Sequence, residues 1–81
     1  MTIRVKLFAA ARELAGSPWV DLELPAEATI GHLRIELARH VPALAELTSH
    51  MAFAVGTQYA GDETPIHHGD QVACIPPVSG G

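Results

Sequence analysis

The stretch TIGHLRIELARHVP, residues 29–42, predicts the main helix of this chain. Thr29 suits the N-cap because its hydroxyl can accept a hydrogen bond from a backbone N–H of the first turn. Pro42 cannot continue a helix, so we expect the helix to run from Ile30 to about His40. Apolar residues recur along it at helical spacing, at Ile30, Leu33, Leu37 and Val41.

Strand-like segments lie on both sides of this helix. Upstream, residues 2–9 and residues 17–25 alternate between apolar and polar side chains, which is the period of a half-buried strand. Downstream, residues 51–55, 58–60 and 71–75 predict three further strands, the middle one short. The side chains expected to face inward on the first two strands are Ile3, Val5, Leu7, Val20, Leu22 and Leu24.

Two short helices complete the pattern. AAARELAG, residues 9–16, contains strong helix formers, with Leu14 as its expected apolar anchor and Gly16 at its end. PALAELTS, residues 42–49, can begin a second short helix because proline is tolerated in a first turn.

One helix of about three turns covers only one face of a small sheet. We therefore expect an α+β roll, in which the main helix packs across a mixed sheet of about five strands. The first two strands should be antiparallel neighbours. If the last strand lies beside the first, both are central, and the C-terminal tail leaves from the middle of the sheet.

Composition narrows the class of protein. The 81 residues suffice for one modest core, with 48 % hydrophobic and 17 % charged residues. A net charge of −4 argues against a nucleic-acid binder, which needs clustered basic residues. No apolar run approaches the ~18 residues of a membrane span, and we expect no membrane partner. A single cysteine forms no internal disulfide, which suits a reducing cytoplasm.

Side chains suited to catalysis or metal binding are few. Asp62 and Glu63 are adjacent in a turn, as is typical of a solvated surface pair. Five histidines lack the spacing and converging ligands of a zinc site, so we predict no metal site: His32, His40, His50, His67 and His68. Cys74 could be a nucleophile or a persulfide carrier, but it alternates with Val72 on the inward face, and a buried cysteine acts as a small apolar residue.

The last seven residues, IPPVSGG, offer a different kind of chemistry. The six residues from Pro76 to Gly81 can extend about 20 Å beyond the sheet, far enough to enter a partner's active site. Pro76 and Pro77 favour an extended start, which lowers the entropy lost when the tail is immobilised. Gly80 and Gly81 carry no Cβ, so partner groups can approach the terminal carbonyl carbon. The alternative is a frayed end with no function.

An exposed apolar pair is expected beside this tail. Phe8 lies on the side of the first strand opposite its inward residues, and Ile75 faces outward if Cys74 faces inward. If the two strands are neighbours, Phe8 and Ile75 share one face near the tail, which suggests a docking surface.

Four segments carry a resemblance to a known family: KLFAAARELAG (residues 6–16), LRIELARHVPAL (33–44), AFAVG (52–56) and HGDQVACIPPVSGG (68–81). Together they resemble the small, MoaD-type subunit of molybdopterin synthase, a ubiquitin-like sulfur carrier of β-grasp fold. The resemblance runs nearly end to end. It implies a β-grasp domain over residues 1–75 and an extended tail over residues 76–81.

The resemblance also implies a carrier mechanism. An activating enzyme uses ATP to adenylate the Gly81 carboxylate, and a sulfur donor protein converts it to a thiocarboxylate. The tail then enters the large synthase subunit, in a heterotetramer, and delivers sulfur to a pyranopterin. No cofactor is expected on the chain itself, and no activity is expected from it alone. Gly80 and Gly81 are the implied reactive residues, and the implied partner contacts are Phe8, Arg12, Ile75, Pro76, Pro77, Val78 and Ser79.

Two alternatives stay open from the sequence. Related diglycine carriers serve thiazole, cysteine or tRNA-thiolation pathways on the same fold. The second alternative is a ubiquitin-like protein modifier or a plain interaction module.

Overall fold

The computed structural model describes residues 1–77. Among these residues, no helix combines the length and apolar character needed to cross a membrane. The elements follow in the order β1 (Thr2–Leu7), α1 (Ala9–Ala15), β2 (Trp19–Glu23), α2 (Ile30–His40), a 3-10 turn (Pro42–Leu44), α3 (Ala45–Thr48), β3 (Ala52–Val55), β4 (Gln58–Ala60) and β5 (Val72–Ile75).

Helix α2 has the predicted bounds and cap. Thr29 is extended, and its hydroxyl accepts a hydrogen bond from the His32 N–H at 3.4 Å. At the other end, the Val41 N–H donates to the Leu37 carbonyl at 2.9 Å before Pro42 stops the helix. Its inward stripe is fully buried at Ile30, Leu33 and Leu37.

The sheet has the strand order β2–β1–β5–β3–β4. Strands β1 and β2 are antiparallel, and β5 runs parallel to β1 with Leu7 opposite Cys74. Strand β3 pairs with β5 on its other side, antiparallel. The predicted α+β, β-grasp arrangement is confirmed, and β1 and β5 occupy its centre.

The core lies between the sheet and α2. Strands β1, β2 and β5 contribute alternate residues to it, as the period-2 pattern predicts. The largest fully buried side chains are Phe53, Ile3, Leu7, Leu22, Ile30, Leu33, Leu37, Leu44 and Ile66.

Two expectations at the β1–α1 junction are wrong. Strand β1 ends at Leu7 rather than residue 9, because Phe8 is the N-cap of α1. Leu14 is 49 % exposed and does not anchor α1. The helix instead turns Ala11 and Ala15 inward, since small residues four apart let it lie close to the core.

Candidate functional site

The C-terminal end of β5 lies in the middle of the sheet. Strand β5 is flanked by β1 and β3, so the chain leaves between two other strands. Because Leu7 is opposite Cys74, the residues that follow, Phe8 and Ile75, lie at neighbouring positions where both strands stop. Phe8 is 40 % exposed and Ile75 half-buried, so an apolar surface borders the point where the tail begins. The predicted origin of the tail is confirmed.

Most of the tail itself lies outside the described residues. Pro76 is half-buried and Pro77 exposed directly after β5. The roles expected for residues 78–81, which are Val78, Ser79, Gly80 and Gly81, stay predictions. Arg12 is exposed on α1, and its partner contact also stays a prediction.

The outer face of the sheet, opposite α2, carries a row of five residues across all five strands. Cross-strand pairing aligns Trp19 with Lys6, Lys6 with Ala73, Ala73 with Ala54, and Ala54 with Tyr59. Trp19 is 46 % exposed and Tyr59 is 75 % exposed. The two alanines make the middle of this face shallow, between aromatic rings at both edges.

A groove of about 540 Å³ runs along the outer side of β1. Phe8 and Trp19 line it from one side, and the turns at Gly56 and Asp70 line it from the other. Its size falls within the range of ligand sites, roughly 300–1,000 Å³.

Two cations line the groove: Arg4 is ion-paired with a carboxylate, and Lys6 lies against two aromatic rings. Arg4 forms a bidentate ion pair with Asp21, at 2.9 Å from Nε and 3.2 Å from Nη2. The hydrogen bond from Arg4 lowers the pKa of the Asp21 carboxyl, and the same pair raises the pKa of Arg4. The Lys6 ammonium lies 5.2 Å from the centre of the Phe8 ring and 5.4 Å from that of Trp19, within cation–π range.

Comparison with known proteins identifies the family. The model of the ThiS family matches residues 5–81. The chain belongs to the ThiS family. The match includes the last residues of the sequence, so Gly80 and Gly81 fall inside the family region.

Individual relatives of this ThiS-family chain agree with that assignment. It is 40 % identical over 79 residues to a molybdopterin synthase sulfur carrier subunit from Arabidopsis thaliana, covering 98 % of this chain and 82 % of the relative. It resembles SAMP1, a small archaeal modifier protein from Haloferax volcanii, with a TM-score of 0.88 at 30 % identity over all of both chains.

A third comparison supports the fold alone. A chain in the complex of subunits 1 and 2 of molybdopterin-converting factor from Helicobacter pylori superposes with a TM-score of 0.69. It is 22 % identical, and the match covers all of both chains.

Cys74 of the ThiS-family chain is fully buried, which confirms its expected inward position. Burial raises the pKa of its thiol to about 12, and the positive charge of Arg34 opposes only part of that rise. The sulfur lies 2.9 Å from the Met51 sulfur. At neutral pH Cys74 is thus a protonated core residue, unsuited to nucleophilic attack.

Within residues 1–77, no group of three or more histidine, cysteine, aspartate or glutamate side chains is arranged to hold a metal ion. His67 approaches only Asp70, with Nδ1 at 3.7 Å from the carboxylate, while the His67 N–H donates to the same carboxylate at 2.7 Å. These contacts hold the turn of residues 67–70, which lies directly before β5.

Sequence reasoning missed the role of Arg34, a residue of α2. Its side chain is only 21 % exposed and spans three segments of the chain. Nη1 donates to the carbonyls of Thr48 and Met51, and Nη2 reaches the Asp62 carboxylate at 2.8 Å. Asp62 is exposed as predicted, yet it also holds the loop after β4 against α2. No local pattern signals this role, because the partners are 14 to 28 positions away.

Proposed function

We propose that this chain is the sulfur-carrier subunit of a molybdopterin synthase and that it carries the sulfur on the terminal carboxyl group of Gly81. The observation that carries the proposal is the central position of β5, which ends in the middle of the sheet beside the exposed Phe8 ring, directly before Pro76. The identity to relatives named as molybdopterin synthase sulfur carrier subunits supports the same pathway.

The proposed chemistry is confined to one carboxylate. Its oxygen attacks the α-phosphate of ATP on an activating enzyme, which releases pyrophosphate and leaves an acyl-adenylate. A persulfide of a sulfur donor protein then attacks the acyl carbon and expels AMP, which leaves an acyl disulfide between Gly81 and the donor. A thiol attacks the donor's sulfur in that disulfide, forms a new disulfide with the donor and releases the thiocarboxylate on Gly81. Glycine suits this step because no Cβ obstructs either approach. The chain binds no cofactor of its own in this scheme and has no activity alone.

The proposed partner surface is the region where β1 and β5 end. Phe8 and Ile75 form its apolar part, and Arg12 adds a positive charge beside it. Pro76 and Pro77 then direct Val78 and Ser79 into the large subunit. Relatives that are named as sulfur carrier subunits of molybdopterin synthase support a pairing with a larger subunit.

Intact-mass measurement tests the chemistry. Incubation with the activating enzyme, ATP and a sulfur donor should raise the mass by about 16 Da, the difference between sulfur and oxygen. Deletion of Gly81 should abolish the change, whereas Cys74→Ala should retain it, because Cys74 is buried. A gain of about 32 Da that disappears in Cys74→Ala would be a persulfide on the cysteine and would contradict the proposal. Failure to restore molybdopterin synthesis in a strain lacking its carrier would favour another sulfur-transfer pathway.

A second function, as a protein modifier, is favoured by the likeness to SAMP1. A modifier would use the same acyl-adenylate, but a lysine amine of a target protein would attack its acyl carbon, expel AMP and form an isopeptide bond. Adducts of higher mass that contain a Gly81–lysine linkage in cells would support this use. Their absence, together with a thiocarboxylate on the free chain, would restrict the chain to sulfur transfer.

A further inference from the structure

Trp19 is a large aromatic residue outside the core. Strand β2 supplies the core through Val20 and Leu22, which are 8 % and 2 % exposed, while Trp19 on the other side stays 46 % exposed. It is the only tryptophan of the chain. Exposed aromatic rings beside a groove are typical of interface hot spots, where tryptophan is enriched.

Lys6 is held in position against that ring. Its ammonium lies over both Phe8 and Trp19, and Trp19 is also its direct cross-strand neighbour. Arg4, the other cation of the groove, is neutralised by Asp21. Among residues 1–77, no carboxylate lies within ion-pair distance of Lys6. Lys6 therefore presents a positioned, unneutralised charge between the rings of Phe8 and Trp19.

The groove is continuous with the proposed partner surface. Phe8 belongs to both, because it borders the start of the tail and also lines the groove. A partner seated on Phe8 reaches Lys6 next and Trp19 after it. Asp70 on the far wall carries a negative charge that repels another, so a negative partner group is favoured on the Trp19 side.

We propose that this groove binds an acidic side chain of the large subunit, which forms an ion pair with Lys6 while apolar partner atoms cover Trp19. This inference rests on the proposed function, since it extends the surface used in sulfur transfer. It makes Trp19 and Lys6 affinity and specificity determinants at a distance from the reactive tail. A charge pair between flanking rings loses little side-chain entropy, because Lys6 is already oriented.

Binding of the large subunit, measured by calorimetry at two salt concentrations, tests the inference. Lys6→Glu and Trp19→Ala should each weaken binding about tenfold or more. Lys6→Gln should weaken it less and should reduce its salt dependence. Ile35→Ala, which truncates a side chain 61 % exposed on α2, is the matched control and should bind as the wild type does. Circular dichroism verifies that each variant is folded.

Trp19 also supplies a direct reporter. With 5-fluorotryptophan in the chain, the single fluorine resonance should shift on addition of the large subunit and should not shift in the presence of phosphate alone. A lysine substitution scan of the acidic residues on the large subunit should find one that restores binding by Lys6→Glu. Such a rescue would identify the partner carboxylate.

Other outcomes overturn the inference in distinguishable ways. If the wild-type chain transfers sulfur but Lys6→Glu and Trp19→Ala bind as tightly as Ile35→Ala, the groove is not part of the interface, and the proposed function stands. If the fluorine resonance moves with the concentration of the chain alone, a second copy occupies the groove. If the wild-type chain neither binds the large subunit nor acquires sulfur, the proposed function and this inference both fail.

Discussion

Replacing Arg34 with alanine should be among the most destabilising single changes on the surface of α2. The guanidinium donates to the Thr48 carbonyl at 2.5 Å and to the Met51 carbonyl at 2.8 Å. It also binds the Asp62 carboxylate and lies 4.9 Å from the centre of the Phe53 ring. One side chain thus joins α2 to the end of α3, the start of β3 and the loop after β4.

The magnitude follows from the separate contacts. A hydrogen bond from a charged donor contributes about 1.5–3 kcal/mol, and two such bonds are made to carbonyls. The Asp62 carboxylate is 60 % exposed, so its ion pair adds about 0–1 kcal/mol. Because water can replace part of the lost bonding, we expect Arg34→Ala to lower the free energy of unfolding by about 3 kcal/mol. Asp62→Ala should lower it by about 1 kcal/mol at most.

Urea and thermal unfolding, followed by far-ultraviolet circular dichroism, measure the difference. For a domain of this size, a loss of about 3 kcal/mol should lower Tm by more than about 10 °C. Arg34→Met is the matched variant, since it keeps an apolar stem over Phe53 and removes every hydrogen bond. If Arg34→Ala costs no more than Asp62→Ala, the arginine is only a surface ion-pair partner and the reasoning from its carbonyl contacts is wrong.

Three further predictions concern the core and the main helix. Gly31→Ala should destabilise the fold by about 1 kcal/mol despite the better helix propensity of alanine, because the new Cβ would lie 3.2 Å from the Asp62 carbonyl oxygen. Alanine and glycine variants at the exposed position of Arg39 measure the contribution of helix propensity alone. If Gly31→Ala raises the free energy of unfolding, the loop that contains Asp62 moves aside at no cost. Thr29→Ala should cost about 1 kcal/mol in urea unfolding through loss of the N-cap bond to His32, whereas Thr29→Ser should retain it. Because the pKa of Cys74 is raised in the folded state, the stability that depends on its protonated thiol is fully present below the unfolded pKa of 9.0 and is lost as pH rises towards about 12. The wild type should therefore lose more stability between these pH values than Cys74→Ala does. Equal pH profiles of unfolding would refute the raised pKa.

The parts of the fold that were predictable are those with local causes. The bounds of α2 follow from a cap, a 3.6-residue period and a proline, all within residues 29–42. The alternation in β1 and β2 likewise determines which side chains face inward. The adjacency of β1 and β5 was only conditional in the sequence, because pairing between distant strands is decided by the shared core rather than by local pattern.

The errors and omissions arise where distant segments meet. Leu14 is the most apolar residue of its segment, yet close packing of α1 favours Ala11 on the inward side. Arg34 follows the polar pattern of an exposed helix position, and only the folded chain brings Thr48 and Met51 to it. Period-2 alternation places Trp19 outward but does not reveal that Lys6 lies against its ring.

The position of Cys74 bears on the proposed activation of the Gly81 carboxylate. Cys74 precedes Gly81 by only seven positions, and an acyl-adenylate is open to attack by any nearby thiolate. A thiolate on the same chain would compete with an external sulfur donor and trap the tail as a thioester. Full burial beside Met51, with the thiol pKa raised to about 12, removes that competitor while keeping an apolar side chain in the central strand. The central strand that precedes the tail therefore also keeps the chain's own sulfur from reacting with an activated Gly81.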